Sequence, residues 1–358
     1  MLLRMKRLWF PLLLLSISAA RLPGQLKDTD AETQAKCAKY LETPLPPEAS
    51  LIAAPKAWPE CDSTKLYSGI GVKVDYEAAR KCAWAERLAV QADMQPKYSV
   101  ASLFGGSAML TVLYANGEGV EQDIPLSLRF ACEAGLPDRG LNDIASLSSN
   151  STPSRKRFRY CDEAFTTFEM NFCAALDAEI AKQKRSDVFL NLSLRWPKEQ
   201  QAEFKTLVRV HEAYVIARGR GETDQGGTIR GLRVNGVEER MRDKFLAALQ
   251  SFEAGHFPHG SESDFRRVDA ELNVLYRRAI AAADAHKKDY DGAIQPEGIR
   301  DAELTWLKYR DAWVAFAKLS FPTTDSNAWL TLLTTNRAAS LRVTLCGIDD
   351  KDSECPRK

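Results

Sequence analysis

The sequence has few of the residues and motifs on which enzyme chemistry depends. Only four of its 358 residues are histidines, and no Cys-x-x-Cys pair occurs to hold zinc. The glycines of residues 219–236 lack the Gly-Lys-Ser/Thr ending of a phosphate loop, and no Gly-x-Ser-x-Gly elbow supplies a serine nucleophile. His256 and His259 lie close together, but Pro258 breaks the helix that would present both on one face. We therefore expect no enzymatic site, no cofactor and no metal.

An excess of charge of either sign is also missing. The 49 Lys and Arg residues nearly balance the 48 Asp and Glu residues, and loss of residues 1–20, which carry three basic residues, leaves a small acidic excess. Such a surface is not expected to bind nucleic acid or anionic lipid. The short basic cluster of residues 155–159 follows a polar run and is interpreted as a solvated linker.

The first twenty residues have the order of a secretory signal peptide. Three basic residues precede the apolar run Leu8–Leu15, and small residues lead to Ala20. The run is too short to span a bilayer as a permanent anchor. We therefore expect cleavage after Ala20, no membrane insertion afterwards, and a periplasmic or secreted protein.

Eight cysteines follow the signal segment. An even number in an exported chain predicts disulfides, although the sequence does not fix their connectivity. Their clustering makes four local pairs the simplest set: Cys37–Cys61, Cys82–Cys132, Cys161–Cys173 and Cys346–Cys355. The Pro-rich stretch of residues 45–59 is then expected to be extended chain clamped by the first pair.

Helical patterning begins near Asp75, which is placed to cap a helix, and continues in residues 108–114 and 126–134. The run Leu113–Asp123, with small alanines behind it, resembles the Sel-like repeat, a tetratricopeptide relative whose helix pairs stack. Residues 75–83 resemble a partial earlier copy. The resemblance implies a disulfide-clamped helical domain over residues 21–150.

The rest of the chain reads as two tandem antiparallel helical modules, over residues 160–256 and 262–346, which completes an all-α prediction. The run Asp177-Ala-Glu-Ile is repeated as Asp269-Ala-Glu-Leu ninety-two positions later. The same offset aligns Tyr214 with Trp306 and Arg218 with Arg310. The stretch around Arg240 aligns with that around Arg337 at a slightly larger offset. Each copy is expected to contain three helices.

Three pieces of the second copy, Asp269–Tyr276, Trp306–Ala312 and Arg337 with Leu341, resemble the lysozyme-inhibitor LprI-like family in order and spacing. The family pattern usually has a cysteine after Tyr-Arg-Asp, and this chain has none at residues 313–318, so the family's disulfide is not carried over. The residues that match the pattern are Asp269, Leu272, Asn273, Tyr276, Trp306, Tyr309, Arg310, Asp311 and Arg337.

The spacing of Trp306, Tyr309, Arg310 and Trp313 places them on one helical face, which is more typical of a core than of a binding site. Arg310 can stack on such a face while reaching a carboxylate, for which Asp269 and Asp311 are candidates. Asn273 and Tyr276, also on one face, are expected to supply interhelical hydrogen bonds.

Three functional hypotheses follow. The family resemblance implies an exported binding protein whose partner is a lysozyme, inhibited by a rigid loop that occludes its glycan-binding cleft; residues 219–236 or 320–328 could form that loop. The alternative is an envelope scaffold or signalling partner that binds a protein through its Sel-like region. The third is a cell-wall enzyme with two carboxylates across a sugar cleft.

Overall fold

The computed structural model describes residues 31–52, 57–93, 103–148, 157–164, 166–353 and 355. All regular structure in these ranges is helical, with twelve α-helices and two short 3-10 turns, so the predicted all-α class is confirmed. None of the described helices is both long and apolar enough to cross a membrane. The predicted signal segment lies outside the described residues.

Six helices form the N-terminal part of the protein. Three of them begin at an aspartate whose side chain accepts a hydrogen bond from a backbone N–H three residues on, and the predicted cap Asp75 is one of these. The helices are α1 (Ala31–Tyr40), α2 (Ser63–Ser68), α3 (Tyr76–Gln91), α4 (Ser107–Asn116), α5 (Ile124–Ala134) and α6 (Asp138–Ser146).

Helix α4 is the centre of this part, because every residue from Ala108 to Ala115 is buried. It packs between α3 and α5, where the rings of Trp84 and Phe130 meet edge to face at 5.2 Å. The connection from α4 to α5 turns at Gly117 and at Gly119. Gly119 has a φ of +65° and lies against the carbonyl of Tyr76, so a side chain at this position would be strained and would clash. The helices predicted for residues 108–114 and 126–134 are confirmed, and the resemblance to Sel-like repeats stays a prediction.

Two of the four predicted disulfides are wrong. Cys37 pairs with Cys132 and Cys61 with Cys82, whereas the pairs Cys161–Cys173 and Cys346–Cys355 are as predicted. The reason is helix packing: α1 lies against α5, which carries Cys132, and α2 lies against α3, which carries Cys82. Proximity in the sequence therefore did not decide these pairs.

Two further N-terminal expectations need correction. The Pro-rich stretch is not extended throughout, because Pro47–Leu51 forms a 3-10 helix that begins at a proline, the position where a missing N–H costs nothing. In the basic cluster, Arg157 is not simply solvated. Its guanidinium lies 5.5 Å from the Tyr67 ring and pairs with Glu118 at 2.5 Å.

The C-terminal part contains two sets of three long helices. In each set the first helix packs along the third, and the two middle helices, α8 and α11, pack along each other. The first set is α7 (Thr167–Ser193), α8 (Lys198–Gly221) and α9 (Arg230–Glu253); the second is α10 (Glu262–His286), α11 (Pro296–Ser320) and α12 (Ser326–Ile348). The shared order fits the predicted duplication, which stays a prediction.

The two sets differ in how tightly their first helices pack. Helix α10 buries an apolar seam that includes Leu272 and Leu275, and it lies close against α12. Helix α7 buries only Cys173 and Arg185 among its described residues. A cleft of about 640 Å³ remains between α7 and α9 in consequence.

Candidate functional site

The aromatic stripe of α11 lies in the core. Trp306 and Trp313 are buried, and the ring of Tyr309 stacks against that of Tyr214 on α8 at 5.7 Å and 15°. The pairing of α8 with α11 therefore places aromatic side chains of both sets face to face. These residues are not available as an exposed binding stripe.

The polar motif residues around the stripe make local contacts. The guanidinium of Arg310 lies 5.3 Å from the Trp306 ring and donates to Asp311 at 2.8 Å. Asp269, the other candidate partner, instead accepts a hydrogen bond from Asn273 on the same helix at 3.1 Å. Asn273 is exposed, so the expected interhelical hydrogen bond from this residue is wrong.

The motif residue Arg337 lies at the centre of a buried ion cluster. Its guanidinium donates to both oxygens of Glu222, at 2.5 and 2.9 Å, and to Glu303 at 2.9 Å. Burial opposes the charge on Arg337, but Tyr214, Glu222 and Glu303 outweigh that effect and raise its pKa. A buried guanidinium needs carboxylate partners. Because one partner, Glu222, begins the α8–α9 connection and Arg337 lies on α12, the ion pair joins that connection to α12.

The connection that follows Glu222 is shorter than expected. Helix α8 runs to Gly221 and α9 begins at Arg230, so most glycines of residues 219–236 are helical. A Cβ at Gly221 would lie 2.4 Å from the carbonyl oxygen of Gly298 in α11. The glycines that resemble a loop in the sequence thus include one that permits a close helix crossing.

Two connections form one continuous surface, which we call the paired-loop surface (residues 222–229 and 287–295). The backbone N–H of Gln225 donates to the carbonyl of Gly292 at 2.8 Å. Gly292 has a φ of +95°, and a Cβ there would lie 2.4 Å from the nitrogen of Gly226. Tyr290 lies on this surface, with its ring beside Gly226 and 52% of its area exposed. The backbone bond joins the two connections, and the Glu222–Arg337 pair joins the first of them to α12.

Comparison with known proteins bears on the second set of helices. Residues 261–341 match the model of the family described as Lysozyme inhibitor LprI. A 58-residue stretch is 38% identical to "Uncharacterized protein R02472" of Rhizobium meliloti (strain 1021), covering 14% of this chain and 40% of that protein. The chain thus spans less than half the length of this curated relative. No solved structure matches the chain.

The LprI match contains α10, α11 and most of α12. It includes one half of the paired-loop surface, residues 287–295, and the motif residue Arg337. The other half of that surface, together with Glu222 and Tyr214, lies outside the match. The LprI segment therefore packs against the preceding set of helices.

The second predicted projection, residues 320–328, is only a short turn. Ser320 ends α11, and Asp325 caps α12 by accepting from the N–H of Asn327 at 2.6 Å. Phe321 is buried and stacks on Trp329 at 5.6 Å and 29°.

The histidines of the described ranges are not grouped with two or more other metal-ligating side chains. His256 and His259 are both exposed, and within the described ranges no three His, Cys, Asp or Glu side chains are grouped to hold a metal ion. His211, which the sequence analysis did not single out, is buried and stacks on the Phe245 ring at 4.2 Å. Burial lowers its pKa to about 3, so this imidazole is neutral near pH 7.

Proposed function

We propose that this chain is an exported binding protein that inhibits lysozyme. The observation that carries the proposal is the LprI match over residues 261–341, a family described by its inhibition of lysozyme. Four disulfides are typical of proteins outside the cytoplasm, which is where a lysozyme would be met. The predicted signal segment agrees with export to the periplasm or the medium.

We place the contact with the enzyme on the paired-loop surface. An inhibitor of this kind gains affinity when its projecting segment is ordered before binding, because less conformational entropy is then lost. The Gln225–Gly292 hydrogen bond and the buried Glu222 supply that order. The exposed ring of Tyr290 offers apolar area with a polar tip, a combination common at the centre of protein interfaces.

The net charge of the C-terminal part gives no support for electrostatic attraction to the enzyme. Residues 262–358 contain 15 basic and 16 acidic side chains, and the surface around Tyr290 carries both signs, with Lys287 and Lys288 beside Asp289 and Asp291. Binding would then depend on shape and on the tyrosine more than on electrostatic steering.

The test measures cell-wall lysis by lysozymes of more than one structural type, with and without the oxidised mature protein. We expect saturable inhibition of at least one type by the unaltered chain, and a loss of about tenfold or more in Tyr290→Ala, as for a central interface residue. The matched control is Val274→Ala, which alters a side chain 45% exposed on α10 outside the loops.

Two results would contradict the proposal. The first is no inhibition of any lysozyme type at micromolar concentrations of protein whose fold is verified by circular dichroism. The second, which concerns the contact surface, is equal inhibition by Tyr290→Ala and by the unaltered chain. The full mature chain is used because Arg337 would lose Glu222 in the isolated LprI segment.

A further inference from the structure

A groove of about 590 Å³ lies between α9 and α12, above the paired middle helices. On α9 its wall extends from Val237 to Phe252, a length of about 22 Å at the rise of an α-helix. One end is closed where the rings of Phe252 and Trp329 meet at 4.8 Å. The volume is in the range of small-molecule sites in proteins.

The groove has an apolar lining. Aromatic side chains of α8 and α11 lie at its base, where Trp306 and Trp313 are almost fully buried, and its walls carry aliphatic side chains such as Leu332 and Val343. Val343 is 69% exposed, so the wall of α12 presents apolar surface to solvent. A ligand with an apolar body would remove this surface from water.

The charged residues of the groove are all cations, since no Asp or Glu lines it. Arg337 and Arg218 are already paired with Glu222. Arg240 and Lys244, one helical turn apart on α9, are exposed and form no ion pair within the part of the chain that the structure describes. Two positive charges thus lie at the rim of an apolar groove without a compensating carboxylate.

The predicted duplication pairs the stretch around Arg240 with that around Arg337, so the surroundings of the two side chains can be compared. In the second set of helices, Arg337 holds a carboxylate with both ends of its guanidinium, and that carboxylate is Glu222 of the chain itself. In the first set, Arg240 faces the groove and has no such partner. A carboxylate from outside the chain could occupy the equivalent role.

The neighbouring cleft between α7 and α9 provides a contrast. Its arginines are satisfied within the chain: Arg185 donates to Glu239 and Asp243, and Arg242 donates to Glu212. A cleft whose charges are paired in this way has no excess positive charge with which to select an anion. The α9–α12 groove differs because its two rim cations, Arg240 and Lys244, form no ion pair among the described residues.

We propose that the α9–α12 groove binds a small amphipathic carboxylate, with its apolar chain along aliphatic wall residues such as Leu332 and Val343 and its carboxylate on Arg240 and Lys244. The proposal does not depend on lysozyme inhibition, because the groove and the paired-loop surface share none of the residues assigned to these roles.

The experiment is a calorimetric titration of the oxidised mature chain with dodecanoate below its micellar concentration, and with dodecanol as the uncharged analogue. We expect saturable binding of one dodecanoate per chain and at least about tenfold weaker binding of dodecanol. The double variant Arg240→Gln/Lys244→Gln should weaken dodecanoate binding by about tenfold or more, since it removes both charge-assisted hydrogen bonds.

Matched variants separate the groove from general effects. Lys182→Gln removes one exposed cation from the α7–α9 cleft and should leave dodecanoate binding unchanged. Ala339→Trp fills the groove from an exposed position on α12, so it should block binding while circular dichroism stays unchanged. The proposal is overturned if dodecanoate does not saturate below millimolar concentration, or if the rim double variant binds it as tightly as the unaltered chain.

The titration also distinguishes this proposal from the previous one. Tyr290→Ala should bind dodecanoate normally even where it fails to inhibit lysozyme, because Tyr290 does not line the groove. Conversely, the rim double variant should retain any inhibition of lysozyme. Loss of both properties in either variant would contradict the separation of the two sites.

Discussion

The guanidinium of Arg337 and the carboxylate of Glu222 are joined by two hydrogen bonds, at 2.5 and 2.9 Å, between two side chains that are almost fully buried. Arg337 lies within the LprI match, and Glu222 lies 39 residues before the start of that match. The pair therefore connects the matched segment to the set of helices before it. Its removal should affect the whole C-terminal part.

Glu222→Ala is expected to lower the free energy of unfolding by about 3–5 kcal/mol, because it leaves the buried guanidinium with one fewer carboxylate. Urea denaturation followed by circular dichroism measures the change. Asp311→Ala is the control, since it removes the partner of Arg310 at a side chain 66% exposed, and it should change stability by less than about 1 kcal/mol. Equal effects of the two substitutions would show that burial of the pair is unimportant.

Residues 262–358 alone are expected not to fold cooperatively. Trp306 and Tyr309 pack on Tyr214, and Trp313 packs on Phe245, so the isolated segment would expose much of its aromatic core. Near-ultraviolet circular dichroism of this fragment should lack the aromatic signal shown by a fragment of residues 157–358. A sharp unfolding transition in the shorter fragment would contradict the dependence on α8 and α9.

The disulfide Cys37–Cys132 is expected to stabilise the N-terminal part more than Cys346–Cys355 stabilises the C-terminus. The first joins residues 95 positions apart and the second residues 9 apart, and a longer closed loop restricts the unfolded chain more. Replacing Cys37 and Cys132 with serine should cost about 2–5 kcal/mol in urea denaturation. The matched double substitution at Cys346 and Cys355 should cost less.

Mass spectrometry of non-reduced peptides tests the pairing, and a peptide that links Cys37 to Cys61 would contradict it.

Local sequence signals predicted the helices well. Asp75 caps its helix because the capping hydrogen bond needs only residues three positions apart. The disulfides of Cys37 and Cys61 were missed because they depend on which helices pack together. Glu222 was missed for the same reason: its partners Arg337 and Thr344 are more than a hundred residues away. The sequence does place Glu222 at the end of a helix rich in arginine, but that signal does not identify a buried cluster.

The glycines of residues 219–236 occur in two kinds of structure, a loop and a close helix crossing. A glycine cluster between helical patterns favours a loop, and only the connection between Gly221 and Arg230 is one. Gly221 belongs to α8, where it allows the approach of Gly298 from α11. The need for a small residue at a helix crossing cannot be distinguished from the need for a turn until the crossing itself is known.

The contribution of His211 to stability should fall as the pH is lowered from 7 to 5. Its pKa is lowered to about 3 in the folded protein, chiefly by burial, with Arg242 and Arg185 adding to that effect and Glu212 opposing it. The unfolded chain, with a histidine pKa near 6.5, therefore takes up a proton that the folded chain does not. The stabilisation from this group is complete above about pH 6.5 and decreases as the pH falls towards 3.

His211→Phe keeps an aromatic ring against Phe245 and removes the titration. Between pH 7 and pH 5 the unaltered chain should lose on the order of 2 kcal/mol more than this variant, which is the linkage expected for one histidine over that interval. Urea denaturation at both pH values measures the difference. His256→Phe is the control, because it makes the same substitution at an exposed position. If His211→Phe loses as much stability as the unaltered chain on acidification, the imidazole is not kept neutral by burial.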